Sequence, residues 1–155
     1  MSELDTVFDR HPHAPRSPHM AEVLLYAEQT DADAGICDLT RLSCRRFLDD
    51  LDSGRWIFRA ALPEFCFEIM TGLFAFSQGE RLDGTPLRGE PLELMLWHRL
   101  CTFAICGFYH PKTGIRRFTE AGVFAPRKTV KTTWAEAQQF ALALWHRRSG
   151  AKCKT

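Results

Sequence analysis

The stretch "FAPRKTVKTTWAEA", residues 124–137, joins the end of an apolar segment to a basic loop and then to a helix start. Small and apolar residues alternate over 121–125, so a strand is predicted across "RRFTEAGVFAP", residues 116–126. Pro126 ends that strand, and a helix is predicted to start near Thr132. The order strand, short loop, Lys-Thr and helix is typical of a phosphate-binding loop, in which backbone N–H groups and a lysine face the anion.

In such a loop Lys131 would reach the terminal phosphates and the Thr132 hydroxyl would hold Mg²⁺, with Arg127 and Lys128 adding positive charge. The standard pattern is G-x-x-x-x-G-K-[ST], whereas this chain has A-P-R-K-T-V-K-T, so both glycines are replaced. Val130 stands at the second glycine position, where the backbone takes torsions that a β-branched residue rarely adopts. The alternative is a helix that simply begins with basic and hydroxyl residues.

Helical periodicity dominates the rest of the chain. An apolar face repeats at helical spacing in residues 20–30 and again in "GICDLTRLSCRRFLDDLDSG", residues 35–54, which Gly54 closes. Pro63 suits the first turn of a further helix that continues through 65–76, and residues 92–109 are apolar on nearly every side, as in a buried helix. The last helix has a stripe formed by Trp134, Ala137, Phe140, Ala141 and Leu144.

These patterns predict four segments. They are a flexible arm over 1–19, a helical N-terminal unit over 20–78, a connector over 79–91, and a helix, strand, loop and helix over 92–155. The histidines of "HPHAPRSPH" are separated by prolines, which favours a solvated arm over a metal site. The six cysteines show no paired CxxC spacing, so they are interpreted as small buried apolar residues in a reducing compartment.

Charge is distributed unevenly along the chain. Residues 1–80 contain 7 Lys and Arg against 14 Asp and Glu, whereas residues 81–155 contain 13 against 5. The basic half can meet phosphates of a nucleotide or of nucleic acid, or the acidic half can neutralise it internally. There is no apolar run of the roughly 20 residues that a membrane span needs and no apolar signal core at the start, so a cytosolic location is predicted.

The series "PLELMLWHRLCTFAICGFYHPKTGIRRFTEAGVFAPRKTVKTT", residues 91–133, resembles the start of the ATPase domain in the large terminase subunit of tailed phages. The matching features are Trp97, the pair Gly107-Phe108, "RRFTEA" at 116–121, and Pro126-Arg-Lys before Lys131-Thr. The helical segment "LTRLSCRRFLDDLDSG" is also similar to the family's N-terminal region, so the resemblance covers roughly residues 20–148. Two departures are His98, where the family has glutamine, and Val130 at the glycine position.

The resemblance implies a fold that is mainly α with a small β component: a helical N-terminal unit, then the opening helix, strand, P-loop and helix of an α/β P-loop ATPase domain. It implies ATP and Mg²⁺ as cofactors, Arg127 as the catalytic charge stabiliser and Thr132 as the metal ligand. It also implies an adenine side near Trp97 and His98, although a core position is the alternative for Trp97. The complete set of implied nucleotide-binding residues is Trp97, His98, Lys128, Thr129, Val130, Lys131, Thr132 and Thr133.

The family's acidic, Mg²⁺-organising strand and its nuclease domain would follow residue 155, so a partial ATPase domain is expected here. The implied partners are double-stranded phage DNA, the small terminase subunit and the portal protein, in the cytoplasm of the host cell. Two alternatives stay open: a non-catalytic helical module that binds DNA or a protein partner, with arginines 41, 45 and 46 available for DNA, and an inactive prophage remnant.

Overall fold

The structure, a computed structural model, describes residues 3–81, 83–126 and 129–148, and it is mainly helical with one small sheet. The chain divides into two compact units, one formed by residues up to 64 with 96–122 (the first unit) and one formed by 65–95 with residues from 123 onward (the second unit). In chain order the elements are α1 (Glu3–Arg10), α2 (Met20–Ala32), α3 (Asp38–Asp52), β1 (Ile57–Phe58), α4 (Ala61–Leu73), α5 (Leu96–Gly107), β2 (Phe108–Tyr109) and α6 (Lys131–Arg148).

The core of the first unit lies where the apolar faces of α2 and α3 and the apolar residues of α5 pack together. The predicted helices over 20–30 and 35–54 are confirmed, and Gly54 follows α3 with a φ of +66°. Their predicted apolar faces are buried, because residues at this spacing share one side of a helix. The core residues these elements contribute are Met20, Val23, Leu24, Ala27, Cys44, Phe47, Leu51, Leu100 and Phe103.

The two strands of the first unit pair antiparallel, with Ile57 opposite Tyr109 and Phe58 opposite Phe108. Gly107 precedes β2, and a Cβ atom at this position would lie 2.2 Å from the Phe58 ring. This close approach explains why glycine is needed there. The rings of residues 47, 58, 103 and 108 form a cluster with centroids 4.9–6.3 Å apart, in mostly edge-to-face contacts that aromatic pairs favour.

The strand predicted over 116–126 is wrong. Within the described part of this segment only Arg116 forms a bridge, to Tyr109, and the residues after it are irregular. The alternation that suggested a strand does not bury one face, since Ala121 is exposed and Phe124 is fully exposed. A strand needs a neighbour for its backbone hydrogen bonds, and the sheet in the described residues contains only β1 and β2. The parallel sheet of a P-loop ATPase is therefore not formed by them.

The segment 1–19, predicted as a flexible arm, contains helix α1 and is attached to the first unit. Val7 is fully buried in the core. His11 lies between two carboxylates, with Nδ1 2.7 Å from Asp52 and Nε2 3.1 Å from Glu28, and His19 Nδ1 lies 2.5 Å from Glu64. The prediction of a solvated arm is therefore wrong for His11 and His19, because contacts with residues 17 to 45 positions away hold them in place.

In the second unit, α6 buries the predicted residues Trp134, Ala137 and Ala141. Ring contacts join Phe65 to Trp145 and Phe74 to Phe140, although Phe140 keeps 46% of its surface exposed. The segment predicted as a connector folds back on itself, with isolated bridges that pair residue 75 with 91 and residue 80 with 86. The backbone N–H of Phe76 donates to the carbonyl of residue 90, which holds the two arms of this hairpin-like segment together.

Candidate phosphate-binding loop

The loop before α6 has an unusual backbone at Val130, whose φ is +60°. Within the residues that the structure describes, it is the single non-glycine position with a positive φ. The left-handed region brings Cβ close to the following carbonyl and costs an L-residue roughly 1–2 kcal/mol. Val130 is the position at which the phosphate-loop pattern has glycine. The chain thus keeps the backbone conformation that glycine normally supplies, with a β-branched residue in its place.

Two side chains close this loop on itself. The Lys131 ammonium donates a hydrogen bond to the Ala125 carbonyl at 2.6 Å, and the Thr129 hydroxyl donates to the Pro126 carbonyl at 2.9 Å. The first bond connects the start of α6 to the beginning of the loop, and the second lies within the loop. The Lys131 side chain is therefore held against the backbone of Ala125 and is only partly exposed.

The first turn of α6 supplies further positive potential. Trp134 N–H donates to the Val130 carbonyl, which is the first bond of the helix, so the N–H groups of residues 131–133 precede the intrahelical ladder. The first turn contains no acidic residue, and the Thr132 side chain is exposed. Together with the macrodipole of an 18-residue helix, these N–H groups make the helix start favourable for an anion.

The structure brings together the predicted site residues Thr129, Val130, Lys131, Thr132 and Thr133, all of which lie in the second unit. Arg127 and Lys128, the predicted catalytic residue and its neighbour, lie outside the described residues.

The other two predicted site residues, Trp97 and His98, lie on α5 in the first unit. His98 is fully buried, and its ring stacks against that of Trp97 with centroids 3.6 Å apart. Their assignment to an adenine side stays a prediction.

No group of three or more His, Cys, Asp or Glu side chains that could hold a metal ion is found in the described parts of the chain. Mg²⁺ commonly binds through one or two protein oxygens together with substrate phosphates and water. The exposed hydroxyl of Thr132 could supply one such protein oxygen to Mg²⁺. The first turn of α6 contains no carboxylate that could supply another.

The arginines of α3, which the sequence analysis made available for DNA, engage in contacts within the first unit. Arg41 donates to the Asp31 carbonyl at 3.0 Å, and Arg45 forms an ion pair with the Asp31 carboxylate at 3.0 Å. The Arg46 guanidinium lies over the Phe118 ring, 5.3 Å from its centroid. These contacts occupy the basic groups of the helix and weaken the case for a DNA-binding face on α3.

One ion pair was missed by the sequence analysis. Asp50 carries a charged side chain, yet it is only 6% exposed and pairs with Arg117. The Arg117 guanidinium also lies over the rings of Trp56 and Phe118, 4.6 and 4.8 Å from their centroids. The "RRF" stretch thus has a structural role in the first unit. No local pattern indicates this contact, because its partners are 67 positions apart.

The cysteines behave largely as predicted. Cys44, Cys66 and Cys106 are buried thiols, and burial raises the pKa of Cys44 and of Cys101 to about 11. Cys153 lies outside the described residues. Cys37 differs because it is exposed and occupies the N-cap of α3. A hydrogen bond with the Thr40 hydroxyl lowers the pKa of its thiol.

In comparisons with known proteins, no protein-family model, no curated protein and no solved structure matches this chain. Among the helices of the described ranges, none is long and apolar enough to cross a membrane.

Proposed function

We propose that residues 125–133 form a phosphate-binding loop for ATP and Mg²⁺, in a chain that corresponds to the N-terminal part of a phage terminase large subunit. The observation that carries the proposal is the φ of +60° at Val130, the position of the pattern's glycine. A left-handed valine is rare and costly, so an ordinary helix start has no reason to contain one. A left-handed residue is expected, by contrast, in a loop that turns its N–H groups toward an anion.

The residues of the loop divide the work of holding a triphosphate. The N–H groups at the start of α6 face the phosphates, and the Lys131 ammonium leaves the Ala125 carbonyl to bind the terminal ones. The Thr132 hydroxyl takes one position on Mg²⁺. Arg127 and Lys128 add positive charge, with Arg127 as the stabiliser of charge on the transferring phosphate.

The residues of the loop account for nucleotide binding but not for hydrolysis. Hydrolysis needs groups that orient water and organise Mg²⁺, and the family supplies them from a strand beyond the loop helix. In the intact machine the partners would be double-stranded phage DNA, the small terminase subunit and the portal protein, in the host cytoplasm. The resemblance across residues 91–133 supports these partners.

Calorimetric titration with Mg²⁺-ATP tests the proposal on three proteins: the chain itself, Val130→Gly and Lys131→Ala. Binding by the chain that is lost in Lys131→Ala supports a working site. Binding by Val130→Gly alone indicates a site that the valine has disabled. If none of the three binds, the phosphate-loop assignment is rejected.

A second candidate is a helical module that binds a protein partner. Three apolar side chains at a spacing of three residues, Ile36, Leu39 and Leu42, are exposed by 36%, 77% and 54%. Leu39 and Leu42 lie on one face of α3, whereas Ile36 precedes the helix. Exposed apolar side chains on one helix face favour a protein partner over DNA, in keeping with the engaged arginines of α3.

Sedimentation velocity of the chain and of Leu39→Gln tests this second candidate. Self-association that the substitution abolishes would support the face as a protein-binding surface. A monomer that binds double-stranded DNA equally well in both proteins would favour the DNA-binding alternative instead.

A further inference from the structure

We propose that Phe124 stacks on the base of the nucleotide whose phosphates the loop holds, and this inference rests on the proposed function. The ligand class is a nucleoside triphosphate, gripped at its phosphates by residues 129–133 and at its base by one aromatic side chain. The assignment moves the base contact from Trp97 and His98, which lie on α5 in the first unit, to a residue of the loop's own unit.

Phe124 is fully exposed, with a relative accessibility of 101%. The other phenylalanines of the second unit with described ring contacts, at positions 65, 74 and 140, each face another aromatic ring of that unit. An apolar side chain left entirely in water contributes almost nothing to folding, because stabilisation follows the apolar area that is buried. The open face of the Phe124 ring is thus free for a ligand.

The position of Phe124 relative to the phosphate-binding cation follows from one hydrogen bond. The carbonyl of the next residue, Ala125, accepts the Lys131 ammonium at 2.6 Å. With standard backbone lengths, the Phe124 Cα lies no more than about 9 Å from that ammonium. A base is separated from its terminal phosphates by the sugar and the phosphate chain, so a ring starting at this distance can reach the base.

Aromatic stacking on Phe124 suits a site in which residues 129–133 bind the phosphates. Every base has a π-face, and stacking on an aromatic side chain requires no hydrogen-bond readout. The contact would therefore hold adenine and guanine nucleotides with similar strength. A phosphate chain without a base would gain nothing from it.

Calorimetry with Mg²⁺-ATP, Mg²⁺-GTP and inorganic tripolyphosphate tests the inference in the chain and in Phe124→Ala, Phe124→Tyr and Trp97→Leu. We expect Phe124→Ala to lose roughly 5- to 150-fold in affinity for both nucleotides and to bind tripolyphosphate unchanged. Phe124→Tyr should retain nucleotide affinity, and Trp97→Leu should not alter it. Leu73→Ala, which removes another side chain that is 65% exposed in the same unit, is the matched control.

The failure of this inference and the failure of the proposed function give different results. Equal nucleotide affinity in the chain and in Phe124→Ala, with tripolyphosphate bound by both, overturns the stacking role and leaves the loop intact. A loss in Trp97→Leu instead of Phe124→Ala returns the base to α5 and also overturns it. If the chain and Val130→Gly bind neither nucleotide nor tripolyphosphate, the site and the stacking role fall together.

Discussion

The ammonium of Lys131 and the carbonyl of Ala125 lie 2.6 Å apart, and this hydrogen bond joins the first residue of the candidate phosphate loop to the first residue of α6. The charged ammonium of Lys131 thereby finds a hydrogen-bond acceptor in the backbone of its own loop. Phosphate oxygens form stronger, charge-assisted bonds, so a triphosphate can displace the carbonyl. The bond also fixes the side chain near the helix start, where the same ammonium would meet an anion.

Replacing Val130 with glycine should remove the strain of the left-handed backbone. We expect the free energy of unfolding to stay level or rise by up to about 1 kcal/mol, because relief of roughly 1–2 kcal/mol is offset by the greater freedom of glycine in the unfolded chain. Urea denaturation measures the change. Val123→Gly, also half-buried but without a positive φ, is the control and should lower stability. Equal losses in both variants would contradict the strain argument.

The contact between Gly107 and the Phe58 ring predicts a loss of stability in Gly107→Ala. A Cβ atom 2.2 Å from the ring forces the cluster to shift, and overpacking of this kind costs about 1–3 kcal/mol. Gly72→Ala on α4 is the matched control, since nothing lies within 4 Å of its added Cβ, and it should raise stability by about 0.5–1 kcal/mol. Thermal denaturation measures the change in melting temperature of each variant, and changes of the same sign in both would refute this packing explanation.

The ion pair of Asp50 and Arg117 predicts that Asp50→Ala lowers the free energy of unfolding by about 2–4 kcal/mol, because it leaves a mostly buried guanidinium without its carboxylate. Asp49→Ala removes an exposed carboxylate from the same helix and should cost less than about 0.5 kcal/mol. Chemical denaturation compares the two. Similarly small losses of unfolding free energy in both variants would mean that the rings of Trp56 and Phe118 alone hold the Arg117 guanidinium in place.

Glu28 predicts an acid-dependent term in stability. A hydrogen bond with Arg10 holds the pKa of Glu28 below its usual 4.5, with a smaller contribution from His11. A carboxyl group with a lowered pKa in the folded state stabilises the fold above the unfolded value and loses that contribution as the pH falls through the folded value. Arg10→Gln should therefore lower the free energy of unfolding at pH 7 and flatten its fall below about pH 4.5, so that the stabilities of the two proteins converge at low pH. Denaturation curves from pH 3 to pH 7 measure this, and parallel curves would contradict it.

Thiol alkylation should select Cys37. Its pKa is lowered by the hydrogen bond with Thr40 and its side chain is exposed, whereas burial raises the pKa of Cys44 and Cys101 to about 11. Since the thiolate is the nucleophile, iodoacetamide at pH 7 should modify Cys37 first. Mass spectrometry of a Cys153→Ser background measures the order, and Thr40→Val should slow the reaction. Earlier labelling of Cys44 would contradict the assigned burial.

The helices were predictable because their information is local. The spacing of Val23, Leu24 and Ala27, and of Cys44, Phe47 and Leu51, specifies which face is buried before any partner is known. The strand over 116–126 failed for the complementary reason. Alternation is a weak signal in five residues, and a strand exists only when another strand accepts its hydrogen bonds.

The candidate site was predicted in part. The sequence shows a loop followed by Lys131, Thr132 and a helix. It also shows that Val130 replaces the glycine of the phosphate-loop pattern. The left-handed torsion and the closure of Lys131 onto Ala125 do not follow from the sequence, because they depend on how the loop folds back in space.

The sequence by itself determined the helical faces, the position of the basic loop at a helix start and the small apolar character of most cysteines, all of which depend on neighbours within a few turns. Only the tertiary structure decided that α1 joins the core of the first unit, that Asp50 is buried against Arg117 and that the segment after β2 forms no strand. The physical reason is distance along the chain: burial and pairing are set by residues that the backbone brings together from far apart, and no local pattern encodes which ones meet.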